Sequence, residues 1–220
     1  YKPKIYLYKL LSIINNMKKI KVDIIIPICS GDAHELEWSI NKQLNFFRKN
    51  LQKYNWQIII VNNGHNEGRI LNIIKKLMEK NKEIKYIYTP YPGRGHGLKK
   101  AWLNSNADTI MYMDLDLSTD LKYVIPLIKE ITNGNDIVTG SRYVGGALIK
   151  RTLARLILSK TYNTVFTRLI LGAKFKDSQC GFKAINKKTA KELIPQIKDN
   201  NWFFDTELLY LGQKKGYNIK

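Results

Sequence analysis

The chain has 220 residues, 44% of them hydrophobic, which suffices for one domain with a substantial core. Its 37 lysines and arginines outnumber 18 acidic residues, giving a formal net charge of +19, so an anionic partner is expected: nucleic acid, an acidic lipid surface or a phosphorylated substrate. Two cysteines without zinc-ligand spacing argue against a zinc module and fit a reduced setting. We expect neither a secretory signal nor a bilayer-spanning helix.

The first twenty residues mix leucine and isoleucine with lysine in a basic amphipathic pattern. Such a segment either lies on an anionic membrane surface or packs on the domain as an ordinary helix, and the pattern leaves both open. We predict a peripheral extension over residues 1–21 and the main domain over residues 22–220.

Short apolar strands then alternate with helical patterns. Strands are predicted over 22–28, 57–61, 84–88, 109–113 and 136–139. Helices are predicted between or after them, over 35–49, 70–78, 98–103 and 121–131. Short strands without polar alternation, spaced in this way, indicate an α/β domain whose parallel sheet is covered on both faces. The remaining predictions are helices over 149–171, 188–194 and 205–213 and strands over 183–185 and 217–219.

The fourth strand delivers two carboxylates, Asp114 and Asp116, where its apolar pattern stops. We expect Ser118 or Thr119 to cap the next helix, and open α/β sheets bind ligands at such strand ends. On a regular strand the two carboxylates would share one face and repel unless a cation lay between them. Oxygen ligands of this kind suit Mg²⁺ or Mn²⁺. For an isolated Asp-x-Asp the alternative is a solvated turn.

Two further segments carry glycine or basic residues. The glycine-rich segment 93–97 contains Arg94 and is either a phosphate cradle or a flexible turn before a helix. Arg142 follows the fifth strand and is a candidate bidentate phosphate ligand. Arg155 and Ser159, four apart on a predicted helix, would share one face and hold a second phosphate, or belong to a solvated basic face.

An acidic residue also lies in the aromatic segment WFFDTELL. Asp205 stands there among apolar side chains, where an unpartnered charge is costly. This pattern indicates either a pocket wall or a helix cap.

Taken in order, these segments resemble glycosyltransferase family 2, the inverting GT-A fold, and within it the enzymes that transfer a sugar from a nucleotide to a polyprenyl phosphate. The resemblance covers Val22 to the chain end and rests on the segments VDIIIPICSGD, IIIVNNGH, GRGHGLKKAW, YMDLDLST and GSRYVGG. The segments DSQCGFKAI and WFFDTELLYLG look most like dolichyl-phosphate glucosyltransferases and less like the mannosyltransferases. The implied fold is a Rossmann-like α/β domain with a mostly parallel central sheet flanked by helices.

The resemblance also implies roles for single residues. The metal would be held by Asp114 and Asp116, and the catalytic residues would be Asp116 and Asp205. Donor-binding residues would be Pro27, Asp32, Asn62, Asn63, Arg94 and Asp114. The acceptor phosphate would be held by Arg142, Arg155 and Ser159. Two motifs that face the nucleoside in the family are changed here, at residues 27–31 and 62–65, which leaves the base and full activity open.

The implied reaction is a metal-dependent transfer of a hexose, with glucose favoured, to a polyprenyl or dolichyl phosphate. The donor would be UDP-glucose, with GDP-mannose as the alternative, and Mg²⁺ or Mn²⁺ the cofactor. A phosphate acceptor is already ionised at neutral pH, so the reaction needs positioning and leaving-group stabilisation more than a general base. The enzyme would work at the cytoplasmic face of an anionic membrane. The family's sequence continues past Lys220, which implies a catalytic-domain fragment.

Three other readings of the sequence stay open. A sugar nucleotidylyltransferase shares the strand order, yet it would need a glycine-rich loop with an arginine after the first strand, which residues 29–34 do not supply. Of the remaining two, one is a family 2 enzyme that acts on a saccharide hydroxyl. The other is a basic nucleic-acid-binding module, but the aromatic residues lie in apolar runs instead of an exposed basic stripe, and no nucleic-acid-binding motif appears, so we expect no nucleic acid.

Overall fold

A computed structural model describes residues 19–64, 68–143 and 161–220. The strands are β1 (Lys21–Ile28), β2 (Asn55–Asn63), β3 (Ile84–Thr89), β4 (Thr109–Met113), β5 (Ile137–Thr139) and β6 (Phe182–Asn186). The α-helices are α1 (Leu36–Asn50), α2 (Gly68–Lys80), α3 (Arg94–Asn104), α4 (Val124–Thr132), α5 (Lys187–Leu193) and α6 (Phe204–Lys214). The strands form one sheet in the order β3-β2-β1-β4-β6-β5.

Parallel pairing dominates this sheet, as predicted, with one exception. β1 pairs in parallel with β2 and β4, and β2 pairs in parallel with β3. β6 lies between β4 and β5 and is antiparallel to both, so the sheet is mostly parallel, as predicted. The backbone N–H of Gly140 donates to the carbonyl of Phe182, so the chain leaves β5 and enters β6 at the same edge of the sheet. A strand entered at that edge has to run back antiparallel.

Two apolar layers cover the sheet. Ile24 and Ile26 of β1 pack into the layer formed with α1, α2 and α4, and Ile25 packs into the layer formed with α3, α5 and α6. All three side chains are 0% exposed. Burying each contributes roughly 1.5–3 kcal/mol. Since both faces are covered, β1 needs apolar residues at consecutive positions, which explains the missing polar alternation.

Local structure around the acidic segment differs from the sequence prediction. A 3₁₀ turn, Leu121–Tyr123, precedes α4. Its cap is Asp120, whose Oδ1 accepts a 3.0 Å hydrogen bond from the backbone N–H of Lys122, and not Ser118 or Thr119. Ser118 belongs to the turn before the helix, where its backbone N–H donates to Asp116 Oδ1 at 2.9 Å. The helix therefore starts one turn later than the residue order suggested.

The end of the described chain borders the sheet at β5. The predicted strand over 217–219 is reduced to one bridge, between Ile219 and Ile137. Of the predicted helix over 149–171, the described part is π-helical over Tyr162–Ile170, and residues 149–160 lie outside the described residues. The predicted extension lies outside them as well, up to residue 18. Within the described ranges, every helix is too short or too polar to cross a bilayer.

Candidate active site at the carboxyl edge of the sheet

The two carboxylates of the Asp-x-Asp segment lie in the turn that follows β4. β4 ends at Met113, so Asp114 and Asp116 do not share a strand face, which corrects that part of the prediction. They nevertheless interact: burial is the main cause that raises the pKa of Asp114, and the negative charge of Asp116 adds to it. Leu117, which directly follows Asp116, has a φ of 52°, in the left-handed region that non-glycine residues rarely adopt. Asp116 is exposed, whereas Asp114 is partly buried.

Asp114 is paired with Arg94, the first residue of α3. Arg94 Nη2 lies 2.5 Å from Asp114 Oδ1, and the guanidinium lies 5.1 Å from the ring centre of Tyr112 and 5.4 Å from that of Trp202. Burial raises the pKa of Asp114 above its ordinary value, and the positive charge and hydrogen bond of Arg94 offset only part of that effect. This single contact joins β4 to α3 across the sheet edge.

Gly181 explains how the Asp114 carboxylate fits against the neighbouring chain. A Cβ added at Gly181 would lie 1.9 Å from Asp114 Oδ2, closer than any non-bonded contact allows. A residue without a side chain is therefore required next to the carboxylate. The glycine in the segment CGF leaves room for the Asp114 carboxylate itself.

A second carboxylate, that of Asp205 at the start of α6, is held by two buried partners. Its Oδ1 accepts a hydrogen bond from the Tyr112 hydroxyl and lies 2.9 Å from Lys183 Nζ, which also donates to the Cys180 carbonyl at 2.6 Å. Tyr112 and Lys183 face each other across β4 and β6. Burial and the charge of Asp205 raise the pKa of Tyr112 well above its ordinary value.

Asp205 belongs to the same site as the Arg94–Asp114 pair. Its negative charge helps to raise the pKa of Asp114, where burial is the larger cause, and it helps to raise the pKa of Arg94 against the opposing effect of burial. Sequence reasoning missed Tyr112 and Lys183. Two signals could have found them: Tyr112 stands two residues before Asp114 on the strand, and Lys183 is a lone charge within the apolar segment CGFKAI.

Arg142, a predicted acceptor-phosphate ligand, is engaged with another carboxylate. Its Nε and Nη2 donate to Asp177 Oδ2 and Oδ1 at 2.7 and 2.6 Å, and its backbone N–H donates to Oδ2 at 3.0 Å. The Asp177 side chain is 0% exposed, and Arg142 is 20% exposed. Burial acts to raise the pKa of Asp177, yet the hydrogen bonds from Arg142 lower it below its ordinary value. The other two predicted acceptor residues, Arg155 and Ser159, lie outside the described residues.

Four predicted donor-binding residues lie at the ends of β1 and β2. Ile28 and Asn62 are partners in the register of these strands, which brings Pro27 and Asn63 to the same edge. Asn63 is buried, its Oδ1 accepts no hydrogen bond from the described residues, and a Cβ at Gly97 would lie 1.8 Å from it. Their donor contacts stay predictions.

The fourth, Asp32, lies in the 3₁₀ turn Ser30–His34 that follows β1. Its Oδ2 accepts a 2.7 Å hydrogen bond from the backbone N–H of Cys29. The carboxylate thus shapes the turn, and its contact with a donor stays a prediction.

The glycine-rich segment forms the first turn of α3, which therefore begins four residues earlier than predicted. Gly93 has a φ of 118°, and a Cβ there would lie 2.4 Å from the Asn200 carbonyl oxygen. A Cβ at Gly95 would lie 2.7 Å from the Asn200 carbonyl carbon, and the His96 N–H donates to the Asn200 oxygen at 3.2 Å. The glycines thus permit close packing of another backbone segment. The flexible turn is excluded, and a phosphate contact stays a prediction.

The donor set at this edge fits a divalent cation that keeps part of its water shell. Among the described residues, no group of three or more histidine, cysteine, aspartate or glutamate side chains is arranged to hold a metal. Asp114 and Asp116 provide two carboxylates, and the first of them packs directly against the backbone of Gly181. Mg²⁺ and Mn²⁺ are commonly held by one or two carboxylates together with waters and substrate phosphates.

Known proteins show which family shares this arrangement. A sequence model of glycosyl transferase family 2 matches residues 23–194. Glycosyltransferase AglD of Haloferax volcanii is 28% identical over 91% of this chain and 32% of its own length. Dolichyl-phosphate beta-glucosyltransferase of Dictyostelium discoideum is 31% identical over 79% of this chain and 55% of its own length. The chain thus spans about a third to a half of these relatives.

The fold agrees with this match. The crystal structure of glucosyl-3-phosphoglycerate synthase from Mycobacterium tuberculosis, in complex with Mn²⁺, UDP and glucosyl-3-phosphoglycerate, superposes with a TM-score of 0.59 at 15% identity. The superposition covers 89% of this chain and 66% of that one. The predicted single GT-A-type α/β domain, with its mostly parallel sheet, is confirmed. Because the family model covers most of the chain, this protein belongs to glycosyl transferase family 2.

Proposed function

We propose that the chain is the catalytic domain of an inverting, metal-dependent glycosyltransferase. It moves a hexose, with glucose favoured, from a nucleotide sugar to a polyprenyl or dolichyl phosphate. UDP-glucose is the favoured donor and GDP-mannose the alternative. The observation that carries the proposal is the convergence of Asp114, Asp116, Asp205 and Arg94 at the carboxyl edge of a family 2 domain. The similarity to a dolichyl-phosphate glucosyltransferase supports the choice of acceptor.

The leaving group is the part of the reaction that needs most help. Mg²⁺ or Mn²⁺, held by Asp114 and Asp116, would supply Lewis-acid stabilisation of the departing nucleoside diphosphate. Arg94 adds a fixed positive charge at the same edge, buried between two aromatic rings. Donors that are already in place when charge develops stabilise the transition state without reorganisation.

Asp205 fits a positioning role better than that of a general base. Its Oδ1 is already engaged by the Tyr112 hydroxyl and the Lys183 ammonium. An acceptor phosphate is ionised at neutral pH, so the attacking oxygen has no proton to lose. In the proposed reaction Asp205 orients the transferred sugar, and its two partners keep the carboxylate in one place.

The acceptor phosphate is assigned to Arg142, Arg155 and Ser159. In this proposal Arg142 offers the part of its guanidinium that is not bonded to Asp177. A lipid acceptor implies work at a membrane surface, and the proposal places the domain at the cytoplasmic face as a peripheral protein. The net charge of +19 would favour attachment to anionic lipid.

The test measures sugar transfer from a panel of nucleotide sugars, with Mn²⁺, to a short-chain polyprenyl phosphate and to a saccharide. We expect transfer to the polyprenyl phosphate from UDP-glucose. Asp116→Asn should lower kcat about a hundredfold or more, the size expected for loss of a group that stabilises the transition state. The matched control is Asp120→Asn in the same loop, whose exposed carboxylate pairs only with Lys122 and should leave kcat within about twofold. Transfer to the saccharide alone would replace the lipid-phosphate proposal with the hydroxyl-acceptor alternative.

A further inference from the structure

The carboxylate proposed to hold the cation already has a positively charged partner. Arg94 Nη2 is 2.5 Å from Asp114 Oδ1. A divalent cation that binds Asp114 therefore meets a guanidinium at the same carboxylate, already bonded to Oδ1. Like charges at such distances repel strongly where water is largely excluded, and Arg94 is only 14% exposed.

The charge balance of the site makes this competition significant. Three carboxylates, those of Asp114, Asp116 and Asp205, influence one another, and two cations, Arg94 and Lys183, offset them. The formal charge of this group is −1, and it would become −2 without Arg94. Arg94 thus halves the formal negative charge that the group presents to a cation.

The geometry of Arg94 shows that it can exchange partners. It contacts Asp114 through one nitrogen, and its buried Nε has no hydrogen-bond partner in the described residues. One of the two rings beside it, Trp202, is 70% exposed, so the guanidinium borders the surface on that side. A diphosphate could accept hydrogen bonds from both Nε and Nη2, which is the forked arrangement that arginine favours.

We propose that Arg94 makes the binding of the divalent cation and of the nucleoside diphosphate mutually dependent. When the cation arrives alone, Arg94 competes with it for Asp114. When the diphosphate is present, Arg94 transfers its hydrogen bonds to the phosphate oxygens and Asp114 is freed for the cation. By linkage, each ligand then raises the affinity for the other by the same factor. This inference rests on the proposed cation site at Asp114 and Asp116.

The experiment measures Mn²⁺ binding to the full chain by the loss of the free-ion EPR signal, with and without UDP or GDP. Titrations of each nucleotide without protein correct for Mn²⁺ that the nucleotide binds by itself. We expect Arg94→Gln to bind Mn²⁺ alone at least about tenfold more tightly than wild type, and the enhancement by nucleotide to fall at least about tenfold. Arg48→Gln is the matched control, because Arg48 forms an ion pair with Glu83 that none of the groups in the site contacts; its Mn²⁺ binding should equal that of wild type.

Arg94→Lys tests whether charge is the cause. A lysine keeps the positive charge, so the Mn²⁺ affinity of Arg94→Lys without nucleotide should stay within about threefold of wild type. If Arg94→Lys tightened Mn²⁺ binding as much as Arg94→Gln, competition by charge would be refuted.

Adding Asp114→Asn to Arg94→Gln separates this inference from the proposed function. Loss of Mn²⁺ binding in the double variant, with unchanged binding in Arg94→Gln alone, would overturn the competition and leave the cation site intact. If the double variant binds Mn²⁺ as tightly as Arg94→Gln alone, the proposed cation site is overturned, and this inference with it. Tighter binding in Arg94→Gln that is lost in the double variant supports both.

Discussion

Two arginine–aspartate pairs in the described part of the domain, Arg142–Asp177 and Arg94–Asp114, differ in how their side chains make contact. Arg142 donates hydrogen bonds to Asp177 from two guanidinium nitrogens and from its backbone N–H, and the Asp177 side chain is 0% exposed. Arg94 touches Asp114 through one nitrogen, and that carboxylate is 31% exposed. The first pair fixes the segment after β5 to the segment before β6. The second lies at the carboxyl edge of the sheet, where the proposed cation site is.

The pKa shifts of the two aspartates report this difference. Burial acts to raise the pKa of both carboxyls. At Asp177 the hydrogen bonds and charge of Arg142 together outweigh burial and lower the pKa, whereas at Asp114 burial outweighs the effect of Arg94. An aspartate with a lowered pKa stabilises the fold in its charged form. One with a raised pKa is held charged at a cost, which a bound cation can relieve. The geometry of the pair, and not its composition, therefore separates a structural clamp from a functional contact.

The largest expected effect comes from removing the buried charge of the clamp. Asp177→Asn should lower the free energy of unfolding by roughly 3–5 kcal/mol, because it leaves the guanidinium of Arg142 without its counter-charge. Asp114→Asn is the matched variant; it removes a single contact and leaves Arg94 with the negative charge of Asp205, so it should change stability by less than about 1 kcal/mol. Urea unfolding at neutral pH measures both. Equal losses in the two variants would mean that the pairs do not differ in kind.

Acid titration should separate the same two variants in opposite directions. The stabilisation by Asp177 is fully present above the ordinary carboxyl pKa of 3.8 and is lost as pH falls through its lowered value, so wild type and Asp177→Asn should converge in acid. The contribution of Asp114 is fully present below 3.8 and is lost as pH rises through its raised value. Raising the pH should therefore lower the free energy of unfolding of wild type relative to that of Asp114→Asn. Urea midpoints across the acid range where wild type stays folded measure both trends, and parallel trends would contradict the prediction.

The smallest expected effect is the loss of stability when an arginine of either pair is replaced by lysine. Arg142→Lys replaces the fork with a point charge and should cost about 1–2 kcal/mol of stability. Arg94→Lys exchanges a single contact and should cost less than about 1 kcal/mol. Thermal unfolding of both variants provides the comparison. A larger loss for Arg94→Lys would mean that the Arg94 contact has the structural role assigned here to Arg142.

The sequence predicts the parts of this fold that leave a local signal. β4 has the predicted bounds, Thr109–Met113, because a continuous apolar run between polar residues marks a buried strand. The antiparallel direction of β6 leaves no such signal, since it depends on where a long connection returns. The start of α3 was missed because three glycines are weak helix formers, and close packing, of Asn200 against Gly93 and Gly95 and of Asn63 against Gly97, overrides that weakness.

The site shows the same limit. Asp114, Asp116 and Asp205 could be selected as candidates from their setting in apolar or aromatic runs. Which residues pair with which could not be predicted, because an ion pair such as Arg94–Asp114 or Arg142–Asp177 joins residues far apart in the chain. A carboxylate in a sequence does not reveal whether its partner is an arginine fork, a lysine or a metal. The predicted roles of Arg155 and Ser159 stay predictions.

The position of β6 also has a consequence for how the chain folds. β4, which leads into the acidic turn, pairs with β1 on one side and with β6 on the other, and both pairings close long loops of chain. Closing long loops costs entropy, so contacts between distant strands form slowly. Until β6 has been synthesised and inserted, β4 is an open sheet edge, ready to pair with another molecule. The strand that completes the site is therefore also the one that protects the nascent domain from aggregation.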